Sequence, residues 1–457
     1  MNANDSTLAC TIGLDLGTTA LKGVLLASDG RVLHTAERPV HYRYPAPERV
    51  ELEAQAHWLA VAGLIRELAG VAPGPVRALA MAGASGNTLL TDAGGQPLTP
   101  IINWMDRRCA GHPPSALDGL TVAELRRVTG WPCLDCFPLA HLAWLQEHEA
   151  ALYRSAERVC MNTDWLLFRL TGQWVMDTST ATTFHLQHQV DRRWHRPYLE
   201  RLGIRESQLS RLVGAGTVAG PLHAAAAAAT GLTTDTLVVT GCFDHPAGAL
   251  ASGVLEPGRL LLSCGTSWVG FTPLADRQAI LDAEMLCDPF RSDRGGPWAG
   301  LFSVPAIGPV INWYVDNLIA PGEQNRLRIF NELAAQAPAG AGGLVVDLLA
   351  PPQPVKADRA LISRAVMEGA ARALNAKLQL LKAQGLSFER AVLIGGPGRS
   401  PVWPGIIADI TGLELVVGSP HAGATGAAML AATGAGLSSG ARAPSDPTDP
   451  SSKKGVS

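Results

Sequence analysis

The chain has 457 residues, 47% of them apolar, and 37 basic against 40 acidic side chains give a formal net charge of -3. That length exceeds one ordinary core and sets two domains as the expectation. The near-balanced charge excludes a basic nucleic-acid groove or a polybasic membrane surface, and no leader or 18-residue apolar run is present, so the expectation is a cytoplasmic protein without nucleic-acid or membrane partners. Eight cysteines (10, 109, 133, 136, 160, 242, 264, 287) are scattered and read as buried thiols; Cys133-Leu-Asp-Cys136 has CxxC spacing, but no second pair accompanies it, and zinc or redox chemistry is not expected there.

In chain order, Thr11–Leu16 is an apolar run that ends in Asp15, and Gly17-Thr18-Thr19 then turns it into a second run through Lys22 to Leu26. This predicts a β-hairpin whose tip offers backbone N–H groups and two hydroxyls to phosphate oxygens, with Asp15 beside it to hold a hydrated Mg²⁺. A Gly turn with a solvated Asp is the competing reading. Arg31–Val40 reads as a third strand, Ala56–Leu68 as an amphipathic helix and Val76–Met81 as a buried strand. That strand runs into the polar segment 82–88, at the end where α/β sheets bind ligands.

Asn103-Trp104-Met-Asp106-Arg107-Arg108 joins an aromatic, an acid and two bases. Such a group suits a sugar, with the ring over C–H surface and the charged groups on hydroxyls, and it equally suits an Asp–Arg pair beside a core Trp. Helices are expected at Phe137–His148 and Asp164–Leu170, a polar turn at Asp177–Thr182, helical segments at Trp194–Leu202 and Glu206–Leu212, and a helix at Ala224–Ala229 with a Gly231 stop. The strand Thr236–Thr240 leads into Gly241-Cys-Phe-Asp244-His245, which sets a carboxylate at a strand end before a small-residue helix. Asp244 there can take a proton from a substrate hydroxyl or cap the helix, and the two are compatible.

The plan then repeats. Arg259–Cys264, Gly265-Thr266-Ser267 and Trp268–Phe271 form a second strand–turn–strand, which predicts a duplicated domain and a polyphosphate between the two tips. Residues 280–305 read as irregular, Pro309–Asn317 and Asn325–Ala335 as helices, and Leu344–Leu348 as a strand. The long helix Asp358–Gly385 carries Arg364, Glu368 and Arg372 as an ion-pair line of the kind found on solvated or interdomain faces. A strand from Arg390 ends at Gly395-Gly396, whose missing side chains admit a flat ring, and Ser400 follows. A helix, a strand at Leu413–Gly418 and the small-residue helix Gly423–Ala432 complete the fold, and residues 436–457 have the composition of a disordered tail.

In this order the motifs resemble the FGGY carbohydrate kinase family, within the sugar kinase/actin/Hsp70 ATPase superfamily, with a xylulokinase-like flavour: Ile12–Thr19 with Lys22, Trp104–Arg108, Asp164-Trp-Leu, Asp177–Ala181, Gly241–Asp244, Gly265–Ser267, Arg364–Glu368, Gly395-Gly396 and Gly426–Ala428. The resemblance implies an α/β protein of two actin-like (ribonuclease H-like) domains with a catalytic cleft between them. The corresponding domains are 9–238, 239–434 and a tail 435–457. It implies an ATP-dependent kinase, with Mg²⁺, of a small ketose, foremost a pentulose such as xylulose, with another sugar or polyol or a non-catalytic ATP/sugar-binding protein as alternatives, and a possible homodimer. Asp244 is then the base, Asp15 the metal acid, and Thr18, Thr19, Lys22, Gly265, Thr266, Ser267, Gly395, Gly396 and Ser400 the nucleotide residues. Ser85, Gly86, Asn87, Trp104 and Asp106, with Asp244, line the sugar site. The chain departs from the xylulokinase pattern in 83–87, which reads Gly-Ala-Ser-Gly-Asn in place of Gly-Gln-Met-His-Gly, at His141 in place of a Lys, and in a shortened 351–356 loop.

Overall fold

The structure is a computed structural model and describes residues 8–111, 114–133, 135–265, 267–304 and 307–437. The chain divides into two compact units, interleaved in sequence. The first comprises residues up to Gly253 with Leu286–Gly296 and the chain from His421; the second comprises Val254–Met285 and Pro297–Pro420. Asp244 therefore belongs to the first unit, not to a second domain that begins at 239. Most of the expected tail (438–457) lies outside the described residues, as does Thr266.

The first unit is built on strands β1 (Cys10–Leu16), β2 (Ala20–Ala27), β3 (Val32–Pro39), β4 (Val76–Gly83), β5 (Val218–Pro221) and β6 (Leu237–Val239), in spatial order β5-β6-β4-β1-β2-β3. β1 and β2 form the predicted antiparallel hairpin, with Asp15 opposite Lys22, and β1, β4 and β6 run parallel. Helices of this unit include α1 (Ala54–Gly70), α2 (Phe137–His148), α3 (Asn162–Thr171), the short α4 (Thr178–Thr182) and α5 (Asp244–Ala251).

The second unit repeats the plan. Strands β7 (Arg259–Cys264), β8 (Trp268–Leu274) and β9 (Trp298–Val304) precede α6 (Arg359–Ala383), and β10 (Arg390–Gly395) and β11 (Glu414–Val417) follow it, in the order β9-β8-β7-β10-β11. β9–β8–β7 is antiparallel and β7–β10–β11 parallel, which matches β3–β2–β1 and β1–β4–β6 pair by pair. The chain then returns to the first unit in α7 (Ala422–Gly434).

The two faces of the first sheet differ in the size of their side chains. Ile12, Leu14, Leu79 and Met81 pack with Trp58, Leu64 and Ile65 of α1 in one bulky core. On the opposite face Ala78, Ala80 and Ala82 meet Ala247, Ala427 and Ala431. Backbone there comes within reach of backbone: the Thr11 hydroxyl donates to the Ala428 carbonyl at 3.2 Å, and a Cβ on Gly13 or Gly426 would run into the main chain of α7 or α5.

Several expectations are corrected. Residues 280–305 contain β9 and a short strand, Leu286–Asp288, because their apolar positions pair with neighbours remote in sequence. Leu344–Leu348 is not a strand: the Val346 carbonyl packs against Gly369 of α6, and no strand among the described residues pairs with the segment. Residues 206–212 form a 3₁₀ turn and a short strand that pairs with Val175–Asp177. Glu368 is buried, not on a solvated face; it accepts Arg364 and Arg372 at 2.7 Å each and the Gly340 N–H at 2.8 Å. Cys133 and Cys136 form a disulfide, with their Cα atoms 6.0 Å apart, within bridging range; the other six cysteines are buried and stand outside this disulfide. Among the described residues no helix is long and apolar enough to cross a membrane.

Candidate active site

Parallel strands end at the same edge of a sheet, so β1, β4 and β6 deliver Asp15, the 83–88 segment and the turn before Asp244 to one place. Oδ1 of Asp15 is buried without a hydrogen-bond partner among the described residues. Its carboxyl is pushed up to about 7, first by burial and then by the Asp244 charge, against the pull of Lys22. Gly423 at the start of α7 closes in from the other side, where a Cβ would stand 2.7 Å from Asp15 Oδ2. An orphaned carboxylate oxygen raised by a second carboxylate is the electrostatic setting that a divalent cation relieves.

Asp244 opens α5. Its Oδ1 accepts the His245 N–H at 2.7 Å, and about a quarter of the side chain remains exposed. It thus has an anchored oxygen and an accessible edge, as a proton acceptor needs.

The expected sugar residues separate into two groups. Asn87 is buried with all four hydrogen-bonding positions occupied: its amide N–H groups donate to Ala84 O (3.2 Å) and Asn162 Oδ1 (3.0 Å), and its oxygen accepts Asn103 Nδ2 (3.1 Å) and Trp104 N (3.3 Å). Ser85 is buried under the Thr183 hydroxyl at 2.9 Å, and Gly86, at φ +87°, is covered by the Phe137 ring. Asp106 is buried: Arg108 donates to both of its oxygens at 2.8 and 2.9 Å, and the Val50 N–H reaches Oδ2 at 2.8 Å. Burial raises its carboxyl, but Arg108 outweighs this and holds it below the usual range. Asp106 is therefore the structural partner of Arg108 here, and Asn87 and Ser85 brace the loop. Trp104 stays half-exposed, with its indole N–H on the Thr18 hydroxyl at 3.2 Å. His141 is buried and bonded to Thr88 at 3.0 Å.

At the first hairpin tip Thr18 and Lys22 are half-buried and Thr19 exposed. In the second unit the tip holds Gly265, whose N–H donates to the Ser267 carbonyl at 3.2 Å. Gly395 adopts φ +96° against the Cys264 backbone, and the space beside Gly396 is open. Ser400 is buried and its oxygen accepts the Val402 and Trp403 N–H groups at 3.2 and 3.1 Å while its hydroxyl donates to Asn331, so it starts a helix and has little left for a ligand.

Sequence reasoning missed the groups packed behind Asp244. Phe243 meets Trp131 edge-on at 5.9 Å, Trp131 meets Phe137 at 5.6 Å, and Phe137 lies 5.0 Å from His185. Ser179 and Asp288 lie behind the Phe243 backbone. The Asp177–Ala181 motif was the available signal for Ser179; Asp288 had none.

The comparisons agree with this geometry. Residues 10–251 match the N-terminal domain of the FGGY family of carbohydrate kinases, and residues 349–435 match its C-terminal domain. The chain is 29% identical to a xylulose kinase of Klebsiella pneumoniae, over 92% of this chain and 89% of that one. It is 28% identical to an autoinducer-2 kinase of Salmonella typhimurium, over 93% and 86%. The crystal structure of xylulose kinase from Rhodospirillum rubrum superposes with a TM-score of 0.79 at 27% identity, over 93% and 90%. With matched domains at both ends of the chain and Asp15 and Asp244 brought to one sheet edge, this chain belongs to the FGGY family of carbohydrate kinases.

Proposed function

We propose that the chain transfers the γ-phosphoryl group of ATP to a hydroxyl of a small ketose, foremost a pentulose such as xylulose. The observation that carries the reading is the pair of Asp244, anchored on one oxygen and accessible, with half-buried Asp15, whose Oδ1 is buried without a hydrogen-bond partner among the described residues, in one unit. Asp244 accepts the proton of the sugar hydroxyl as its oxygen bonds to the γ-phosphorus, and the bond to the β-phosphate oxygen breaks to release ADP. Little covalent work falls to the protein, so positioning and charge neutralisation supply most of the rate. Asp15 would hold Mg²⁺, which when bound neutralises phosphate charge. The backbone of the first tip with Thr18, Thr19 and Lys22, and in the second unit Gly265, Ser267, Gly395 and Gly396, would hold the nucleotide. Trp104 offers its ring to the sugar.

The xylulose kinases among the relatives support a pentulose. The autoinducer-2 kinases, with the changed and internally bonded 83–88 loop, favour a second reading in which the acceptor is another ketose or polyol. The test is ADP release from Mg·ATP against pentuloses, hexuloses, tetritols and glycerol. A dominant pentulose is expected; a dominant acceptor of another class replaces it. Asp244→Asn is expected to lower turnover at least about a hundredfold, and unchanged turnover would remove the base assignment.

A further inference from the structure

The segment Leu286–Gly296 interrupts the sequence of the second unit and belongs to the first. It brings in Asp288, which is 1% exposed. Oδ1 of Asp288 accepts the Phe290 N–H at 2.7 Å and Oδ2 accepts the Ser179 hydroxyl at 2.7 Å. Ser179, also buried in α4, uses the same oxygen to accept the Phe243 N–H at 3.2 Å. Phe243 directly precedes Asp244, and its carbonyl takes the Ala247 N–H of α5 at 3.2 Å. The segment is pinned in turn: the Cys287 carbonyl accepts Trp131 Nε1 at 3.0 Å and Gln189 Nε2 at 2.8 Å, and its N–H donates to the Gly130 carbonyl at 3.1 Å.

We infer that Asp288, acting through Ser179, is a positioning residue that fixes the main chain from which Asp244 projects. The inference rests on Asp244 being the base. Two donors, one on each oxygen, require an acceptor with no hydrogens. A carboxylate meets that demand, while an asparagine would turn its NH₂ toward one of them. Burial, and after it the charges of Asp177 and Asp244, push the Asp288 carboxyl up to about 7 against its hydrogen bonds. Without the Ser179 hydroxyl the Phe243 N–H loses its side-chain partner, and the main chain before the base is held only by the Ala247 bond and the packing of its ring.

The test compares Ser179→Ala, Asp288→Asn and Ser179→Thr with the unaltered chain, and with Asp244→Asn as the reference for loss of the base. ADP release is measured with Mg·ATP and D-xylulose, and crystal structures of the unaltered chain and Ser179→Ala are compared at Asp244. Expected are a kcat reduced about ten- to a hundredfold in Ser179→Ala and Asp288→Asn, KM for ATP and D-xylulose within about threefold, recovery of most of kcat in Ser179→Thr, and an Asp244 carboxylate that is displaced or split between two positions. Folded Ser179→Ala with unaltered kcat, or with Asp244 in its original place, overturns the inference. If D-xylulose gives no turnover, the crystallographic comparison decides alone. Should Asp244→Asn keep full activity on D-xylulose, the base reading fails, whatever the Ser179 variants do.

Discussion

Asn87 has no hydrogen-bonding capacity left for a ligand, because Ala84, Asn162, Asn103 and Trp104 take all of it. Asn87→Ala is expected to cost about 2–3 kcal/mol of stability through the partners it strands and to raise the sugar KM by loosening Trp104; denaturant titration and steady-state kinetics check the two effects. His185 makes a different case. It is fully buried, neither ring nitrogen has a side-chain hydrogen-bond partner among the described residues, and burial lowers its pKa to about 3. The unfolded chain binds this proton below about pH 6.5 and the folded chain does not, so the stability it contributes is present above 6.5 and lost as pH falls. His185→Leu is expected to gain about 2 kcal/mol at pH 5 relative to its effect at pH 8, read from denaturant midpoints at both values. The placement of Asp15 and Asp244 was legible in the sequence because Asp15 lies near the end of an apolar strand and Asp244 opens a helix a short turn after one. The Asp106 motif fits a sugar or an arginine equally well, and its burial against Arg108 was not legible in the sequence. Asp288 was illegible: its partner Ser179 is 109 positions away, and nothing periodic surrounds it.

Among the elements, α7 depends most on its small residues. Gly423 touches Asp15 and Gly426 touches the α5 backbone. Gly423→Ala is expected to lower ATP turnover about tenfold by displacing Asp15, with the circular dichroism spectrum preserved. Gly63 of α1 provides the contrast: it is exposed and nothing lies near its missing side chain. Gly63→Ala is expected to stabilise the chain by about 0.5–1 kcal/mol, seen as a higher thermal midpoint with unaltered activity. In α6 the helical spacing of Arg364, Glu368 and Arg372 was read correctly, and their environment was not. Burial raises the Glu368 carboxyl, but Arg364, the Gly340 N–H and Arg372 overcome it and hold it below its usual range. Glu368→Ala leaves Arg364 nearly buried and uncompensated, for an expected loss of about 3 kcal/mol or more in a urea unfolding curve. The strands were easier to predict than their connections, because an apolar run declares itself locally. Leu344–Leu348 had such a run without a strand to pair with.

At the scale of the whole molecule, the repeated hairpin in the sequence predicted a repeated sheet, and five strands of each sheet agree in order and pairing sense. Where the units divide was not legible, because the return of 286–296 and α7 to the first unit depends on packing against residues far back in the chain. That division has a thermodynamic consequence. A fragment of residues 1–253 lacks α7, and the alanines of β4 and α5 would then meet water where they now meet Ala427 and Ala431. Such a fragment is expected to show no cooperative thermal transition, whereas the full chain does.

The same interleaving fixes an order of events on the ribosome. When Gly253 is made, the first sheet still lacks the helix that covers its small-residue face, and Ala422–Gly434 is synthesised roughly ten to forty seconds later at ordinary translation rates. Through that interval the alanines and glycines of that face have no helix to cover them while the sequence of the other unit emerges. Ala422–Gly434 thus completes the first unit, and because Gly423 lies on Asp15, the carboxylate pair reaches its final form only after the sequence of the second unit has been made.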